Sequence, residues 1–366
     1  MDYIHPLKDA GQIEGGYKAI IRNLENDFLR KNQMNGTFET DMANTDVFTF
    51  NEQVHALYAQ YSGWSGEKQS PKWKYTIGLR AEQIWNNGKA QNADLKFDKD
   101  YFNLFPSASL IYYTPKQDMV KASYGKRINR PSFGQLMPFT DITDALNQRS
   151  GNPNLKPELS HSFELSYGQN RKSMNYILTA FYRYQQNIIL PFTVLDDNGV
   201  AFTQPQNFND AFSYGLEGIV TFSPFKFWGF NLNVSGYSSQ VKNDDTPLNS
   251  RFVYFAKIIN NFTPWTNGRI QIIANYASPT VIPQGQNAEV YFVDVGIQQR
   301  MMKGQGRLGL TVTDIFNTQH YGTRTSDDNF NFSRIFKLDT RAVMFVFGYT
   351  FKSAFKEKLM DNKFTN

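Results

Sequence analysis

The chain has 366 residues, 16% of them aromatic (32 Phe and 20 Tyr), no cysteine and a formal charge of +5. Without cysteine there is no disulfide framework, no thiolate metal ligand and no cysteine nucleophile. The positive charges are dispersed, which sets aside nucleic acid as a partner, and no run of eighteen apolar residues exists to form a membrane-crossing helix.

Period-two alternation dominates the sequence and predicts an all-β chain. A stub at Asp2 to His5 is followed by predicted strands near 15–30, 47–62, 72–85, 102–113, 119–129, 159–169 and 174–189. Others follow near 208–222, 228–241, 250–262, 269–278, 289–301, 307–317 and 333–351, about fifteen in all. Phe163, Leu165 and Tyr167 alternate with Ser162, Glu164 and Ser166. Phe230, Leu232 and Val234 alternate with Asn231, Asn233 and Ser235, and Val343, Phe345, Phe347, Tyr349 and Phe351 form one face near the end. Many predicted strands reach ten residues. Globular strands average about five or six, whereas a membrane-crossing strand needs about nine to eleven.

Connection lengths also sort by side. Thr114 to Asp118, Ser223 to Lys226, Thr263 to Gly268 and Lys303 to Gly306 are short. Asn86 to Tyr101, Arg130 to Glu158, Leu190 to Phe208 and Thr318 to Phe332 are long and fall on the opposite side. Gly63 to Pro71 is a longer turn on the short-turn side. Outer-membrane barrels combine short periplasmic turns with long extracellular loops. Aromatic residues such as Trp85, Tyr112-Tyr113, Phe225, Phe227-Trp228 and Trp265 sit at predicted strand ends, as in interfacial girdles. The mean hydropathy of −0.51 fits, because only alternate residues of a barrel face lipid. The expectation is an antiparallel transmembrane β-barrel over residues 1–352, followed by a short Lys-rich tail at 353–366. The N-terminus lacks a basic segment followed by an apolar one, so the chain is expected to be a fragment of a longer protein or a truncated reading frame.

Four motifs then carry a resemblance. Gly151-Asn152-Pro153-Asn154-Leu155-Lys156-Pro157-Glu158 resembles the N-P-x-L-K-P-E stretch of TonB-dependent receptor barrels. Arg130-Pro131-Ser132-Phe133 with Leu136-Met137-Pro138-Phe139 resembles its companion R-P-[SF]…L-x-P-F. Tyr214-Gly215-Leu216-Glu217 matches Y-G-x-E, and Asp314-Ile315-Phe316-Asn317 matches D-[IL]-F-[ND]. Order and spacing agree with the family, and the style is similar to outer-membrane receptors of Bacteroidota. The resemblance implies a barrel of 22 strands filled by a plug, of which this chain supplies about fifteen strands and no plug. It implies location in the cell outer membrane and uptake of a large solute (siderophore, oligosaccharide or peptide). The implied partners are outer-membrane lipid, the barrel-assembly machinery, and the plug domain and TonB of the full-length protein. Phe351 is the best match to the family's terminal aromatic. A porin-like or adhesion barrel without TonB coupling is the alternative.

No enzyme is expected, and no catalytic, cofactor-binding or metal residue is assigned; ligand-binding residues are unknown at this stage. Gly304-x-Gly306-x-x-Gly309 is followed by a strand and reads as a turn, not as a dinucleotide fingerprint. His5, His55, His161 and His320 lack metal-ligand spacing and read as lumen or loop residues. Arg80, Glu82, Lys121, Glu164, Arg183, Glu217, Asp294 and Arg300 are expected to face the lumen, as a solvated wall or as contacts to plug or solute.

Overall fold

The computed structural model describes every residue except 9–10, 43–44, 68–69, 92–94, 244–245, 328–329 and 352–366. The 353–366 tail therefore lies outside the described residues. The strands in chain order are β1 Asp2–Pro6, β2 Gln12–Phe28, β3 Lys31–Met34, β4 Thr37–Thr40, β5 Asp46–Glu67, β6 Ser70–Ala90, β7 Lys96–Tyr113 and β8 Met119–Asn129. After a short helix, α1 Phe133–Leu136, come β9 Asn147–Arg149, β10 Glu158–Asn170, β11 Met174–Leu195, β12 Ala201–Phe225, β13 Trp228–Asn243, β14 Thr246–Phe262 and β15 Gly268–Ala277. The last are β16 Thr280–Ile282, β17 Gly285–Asn287, β18 Val290–Met301, β19 Gly306–Val312, β20 Tyr321–Asp327, β21 Phe330–Phe336 and β22 Val343–Tyr349.

One antiparallel meander runs β1-β2-β5-β6-β7-β8-β10-β11-β12-β13-β14-β15-β18-β19-β22, with β9 added in parallel to β12. A small sheet β16-β17-β20-β21 and the hairpin β3-β4 stand apart from it. Among the described residues no ladder joins β1 to β22. The barrel is thus not closed by these strands, and the sheet keeps two edges.

The two faces are inside-out relative to a soluble protein. Leu57 is 65% exposed, Leu165 57% and Phe345 68%, whereas Glu52 and Glu82, on the opposite face, are 5% exposed each. A bare apolar face with carboxylates folded away from it suits a lipid surround. Two aromatic belts bound this face. One includes Trp73 on Tyr112, Tyr167 on Tyr176, and Trp228 between Phe230 and Phe262. The other includes Tyr17, His55 and Trp85, then Tyr124, His161, Tyr184 and Phe212, then Tyr254, Tyr276 and Tyr291. On β11, Tyr176 and Tyr184 mark both belts. Eight residues separate them by about 26 Å along the strand, or roughly 20 Å of height at the usual barrel tilt, most of a hydrocarbon band.

Several elements differ from the sequence expectation. The segments Asn86 to Tyr101 and Leu190 to Phe208 are not loops: β6 continues to Ala90, β7 starts at Lys96, β11 continues to Leu195 and β12 starts at Ala201. β12 has 25 residues and would extend about 80 Å, so the hairpins on this side project far past the band. Of the turn expected at Gly63 to Pro71, the described residues are likewise strand: β5 reaches Glu67 across an irregularity between Ser65 and Gly66, and β6 starts at Ser70. The strand expected at 307–317 stops at Val312, and the one expected at 333–351 divides into β21 and β22. Histidines 5, 55 and 161 point neither into the lumen nor into loops. They share the outward face of their strands with Tyr3, Tyr17 and Tyr124.

Candidate functional site

The segment between β8 and β10 folds inward across the concave face. Ser132 caps α1 reciprocally with Gln135, which fixes the entry of the segment. Phe133 then stacks on Phe48 at 5.5 Å and Phe139 on Phe28 at 5.2 Å, while Leu136 and Leu155 are almost fully buried. Burying each such side chain stabilises the arrangement by about 1.5–3 kcal/mol. The Gly151 amide donates to the Met137 carbonyl at 2.9 Å and the Asn152 amide to the Gln135 carbonyl at 2.6 Å. A Cβ at Gly151 would collide with the carbonyl oxygens of Met137, Gln135 and Gly134, so only glycine permits this approach.

The far end is pinned as firmly. The Lys99 ammonium donates to the carbonyls of Pro153 (2.5 Å) and Leu155 (3.0 Å). The Asn152 side-chain amide donates to the Pro205 carbonyl at 3.0 Å, and the Lys156 amide to Asn207 Oδ1 at 2.8 Å. Glu158 accepts from Asn129 Nδ2 at 2.7 Å and from the Ile189 amide at 2.6 Å. The segment is therefore a crossbar from β2 to β12. Its R-P-S-F, L-M-P-F and G-N-P-N-L-K-P-E residues are the ones that hold it.

Beneath the crossbar lies an ionic cluster. Glu82 binds both Arg80 (2.6 Å) and Arg130, and Glu52 binds Arg22 at 3.3 Å. Asn86 Nδ2 donates to the Tyr101 hydroxyl at 3.2 Å, but Asn86 Oδ1 and Arg130 Nε have no protein partner. Buried polar atoms are nearly always satisfied, so these two are an acceptor and a donor left over inside the cluster.

A second feature is a cavity of about 580 Å³ on the inner wall of β10 to β14. It collects Glu164, Arg183 and Glu217, three of the residues expected to face the lumen. Arg183 donates to Ser162 Oγ at 3.3 Å and lies over the Phe181 ring at 5.8 Å, with Tyr237 5.9 Å from Phe181. Val281 of the small sheet roofs it. That sheet is held by paired bonds between Gln284 and the Thr193 backbone (2.8 and 2.9 Å). Asn233 also lines this cavity, and its Oδ1 is buried without a protein partner. Two carboxylates, one guanidinium, amides and aromatic faces make a wall whose chemistry suits hydrogen bonding and stacking. No nucleophile–base pair is assembled in it.

The other expected wall charges are scattered. Lys121 stands on β8 opposite Ser166, and exposed Arg300 lies opposite Arg307 near the short-turn end. Asp294 has a structural task, accepting the Asp314 amide at 2.8 Å. Asp314 is itself fully buried and accepts from the Thr318 and Gln319 amides and from the Thr340 hydroxyl (2.5 Å), with Lys337 at 3.4 Å. Burial alone would push its carboxyl up. The donors from Thr340, Thr318, Gln319 and Lys337 outweigh burial and hold the pKa at about 2. Asn86, Tyr101 and Glu52 were not singled out in the sequence. Asn233 was legible only as part of the polar phase of β13. No group of three or more metal-ligating side chains occurs among the described residues.

Residues 1–351 match the profile of the outer membrane protein beta-barrel family. The chain belongs to that family. It is accordingly an outer-membrane protein, and its bare apolar face is the lipid-facing one. No curated protein matches the sequence. Among solved structures, the copper transporter OprC superposes with a TM-score of 0.68 at 13% identity, over 94% of this chain and 55% of that one. The ferric-catecholate import receptor Fiu from E. coli K12 superposes with a TM-score of 0.66 at 10% identity, over 96% and 53%. The ferric citrate transporter FecA superposes with a TM-score of 0.64 at 12% identity, over 95% and 53%. These likenesses are of fold, and this member of the outer membrane beta-barrel family spans about half the length of each.

Proposed function

We propose that the chain is the C-terminal part of a barrel that imports a large solute (a siderophore, oligosaccharide or peptide), with TonB coupling through a plug supplied outside these residues. The proposed setting is a receptor of the Bacteroidota type, assembled by the barrel-assembly machinery, that binds and transports and does no catalysis. The observation that carries this reading is the crossbar pinned over a polar, aromatic-lined inner wall. The three solved transporters of the same fold support it by their names. The open edges support it physically, since unpaired N–H and C=O groups in hydrocarbon cost several kcal/mol each and call for further strands.

The test is uptake in the native host. A strain carrying the whole reading frame as its only importer of this kind is offered ferric siderophores, oligosaccharides and peptides, with TonB present and depleted. Accumulation of one solute class that stops on TonB depletion is the expected result. Accumulation indifferent to TonB would overturn the coupling and leave a porin-like barrel.

A further inference from the structure

We infer that the solute is an extended peptide with an acidic residue, bound as an added strand on the free edge of β21 with its carboxylate opposite Arg334. The inference rests on the import reading above and narrows its three solute classes to one.

The small sheet has two edges, and they differ. The β16 side is covered: β16 packs on β13 and β14, and Asn249 Nδ2 donates to the Ile282 and Gly285 carbonyls at 2.9 and 2.6 Å. β21 pairs with β20 on one side only, and among the described residues no backbone hydrogen bond leaves its other side. Open edges are usually blunted by proline, lysine, a bulge or a cover. β21 has seven residues in unbroken register, no proline and no lysine, and Ile335 is 53% exposed.

The phase of the ladder identifies the free backbone groups. The Ser326 amide donates to the Gln284 carbonyl and the Gly322 carbonyl accepts from the Ala288 amide, so Gly322, Arg324 and Ser326 turn their backbone toward β17. Thr323 and Thr325 alternate with them and turn toward β21, where they pair with Arg334 and Phe332. Asn331, Ser333 and Ile335 therefore aim their N–H and C=O groups away from the sheet, and all three residues are exposed. Free donors and acceptors thus recur about every 6.8 Å, the two-residue repeat of another extended polypeptide. Strand addition draws its affinity from such bonds and its specificity from alternate side chains.

The alternate side chains here are Phe332, Arg334 and Phe336, which share one face. The Arg334 guanidinium lies over the Phe336 ring at 4.4 Å. It belongs to no ion pair among the described residues, and its Nη1 has no protein partner. In an antiparallel addition the residue opposite Arg334 takes the non-hydrogen-bonded position, where side chains come closest. A carboxylate there neutralises the guanidinium, and apolar residues two places to either side meet Phe332 and Phe336. The crossbar is close by. The Thr143 hydroxyl and amide hold the Asp141 carboxyl below the usual carboxylate range, and the Arg334 charge adds to their effect. A strand added to β21 therefore lies beside the crossbar.

The experiment uses the whole protein as its host makes it, extracted from the outer membrane into detergent. The probe is an end-capped, fluorescently labelled peptide as long as β21. It is threonine throughout, except for a central glutamate and a valine two residues to either side. Binding is read by anisotropy. The wild type is expected to bind it and to prefer it about threefold over the same peptide with glutamine, the size of a part-exposed ion pair. Ser333→Pro removes an outward amide and keeps the bonds to β20, because proline is tolerated where the N–H of an edge strand faces solvent. That variant is expected to bind about tenfold more weakly, from a lost backbone bond with a ring in its place. Arg334→Gln is expected to bind the two peptides equally. Heat-modifiable gel mobility checks that each variant is folded. No binding by the folded wild type, or unchanged affinity in Ser333→Pro, overturns strand addition. A glutamate preference that survives in Arg334→Gln overturns the placing of the carboxylate. TonB-dependent uptake of another solute class by a protein that ignores the peptide sinks this inference and leaves the import reading standing.

Discussion

Phe48 on β5 and Phe133 at the start of α1 stack at 5.5 Å, and Phe48 has no solvent exposure at all. The pair joins the barrel wall to the crossbar. Replacing Phe48 with alanine removes the platform for Phe133 and Phe139 together. A large-to-small change at a packed site costs about 3–5 kcal/mol, and here the loss falls on docking of the crossbar because the β5 ladders remain. Tryptic cleavage after Arg149 is expected to accelerate at least tenfold in Phe48→Ala relative to the wild type. An unchanged cleavage rate would show that the crossbar is held without this pair.

Glycine 151 and glycine 134 offer a matched comparison. Three backbone carbonyls crowd the space a Cβ would need at Gly151, and backbone cannot yield as a side chain can. At Gly134, inside α1, a Cβ meets nothing within 4 Å. Gly151→Ala is therefore expected to raise amide hydrogen exchange across residues 132–157 to near that of an undocked loop. Gly134→Ala is expected to leave it unchanged or slightly slower, since alanine favours helix by up to about 1 kcal/mol. Equal behaviour of the two variants would contradict the close approach.

The membrane band was legible in the sequence because one physical constraint writes it. Phe163, Leu165 and Tyr167 must face lipid while Glu164 and Ser166 face the lumen, and a period of two follows. Above the band that constraint lapses. At Asn86, Asn87, Gly88 and Lys89 neither face meets lipid, so no apolar period marks the strand, and β6 and β12 outran their sequence signal. The crossbar was hidden for a different reason: Phe48 and Phe133 are 85 positions apart, and neither local pattern names the other. The resemblance marked the right residues there, without saying that they fold inward. Asp314 read as strand because Thr311, Thr313 and Ile315 alternate, but its carboxylate meets two local amides and closes a turn instead.

That carboxylate gives a pH prediction. Its folded pKa of about 2 lies below the value of about 3.9 for an unstructured aspartate. The ionised form is thus the one the fold prefers. Its stabilising contribution is complete above pH 4 and is lost as pH falls through about 2. Hydrogen exchange protection of Thr318, Gln319 and the segment to Ala342 is expected to fall across that window. Asp314→Asn, which keeps the shape and removes the charge, should be less protected at pH 7 and show no such fall. Parallel pH profiles for the two proteins would rule the assignment out.

Glu82 is held by two arginines, Arg80 and Arg130, and only the second ties the crossbar to the wall. This asymmetry orders the effects of mutation. Arg130→Gln leaves Glu82 its bond to Arg80, so the carboxylate stays paired. Glu82→Gln leaves both guanidiniums facing a neutral amide, in a cluster where Arg130 Nε already lacks a partner. The glutamate substitution is therefore expected to be the more damaging for crossbar protection. A double-mutant cycle with Arg130→Gln should give a coupling of about 1–3 kcal/mol, read from exchange rates of residues 130–139. Running the cycle at high salt separates screening from geometry: a part-buried pair keeps most of its coupling, whereas a solvent-exposed one loses it. A coupling near zero at low salt would mean that packing of Phe133, Leu136 and Leu155 alone positions the crossbar.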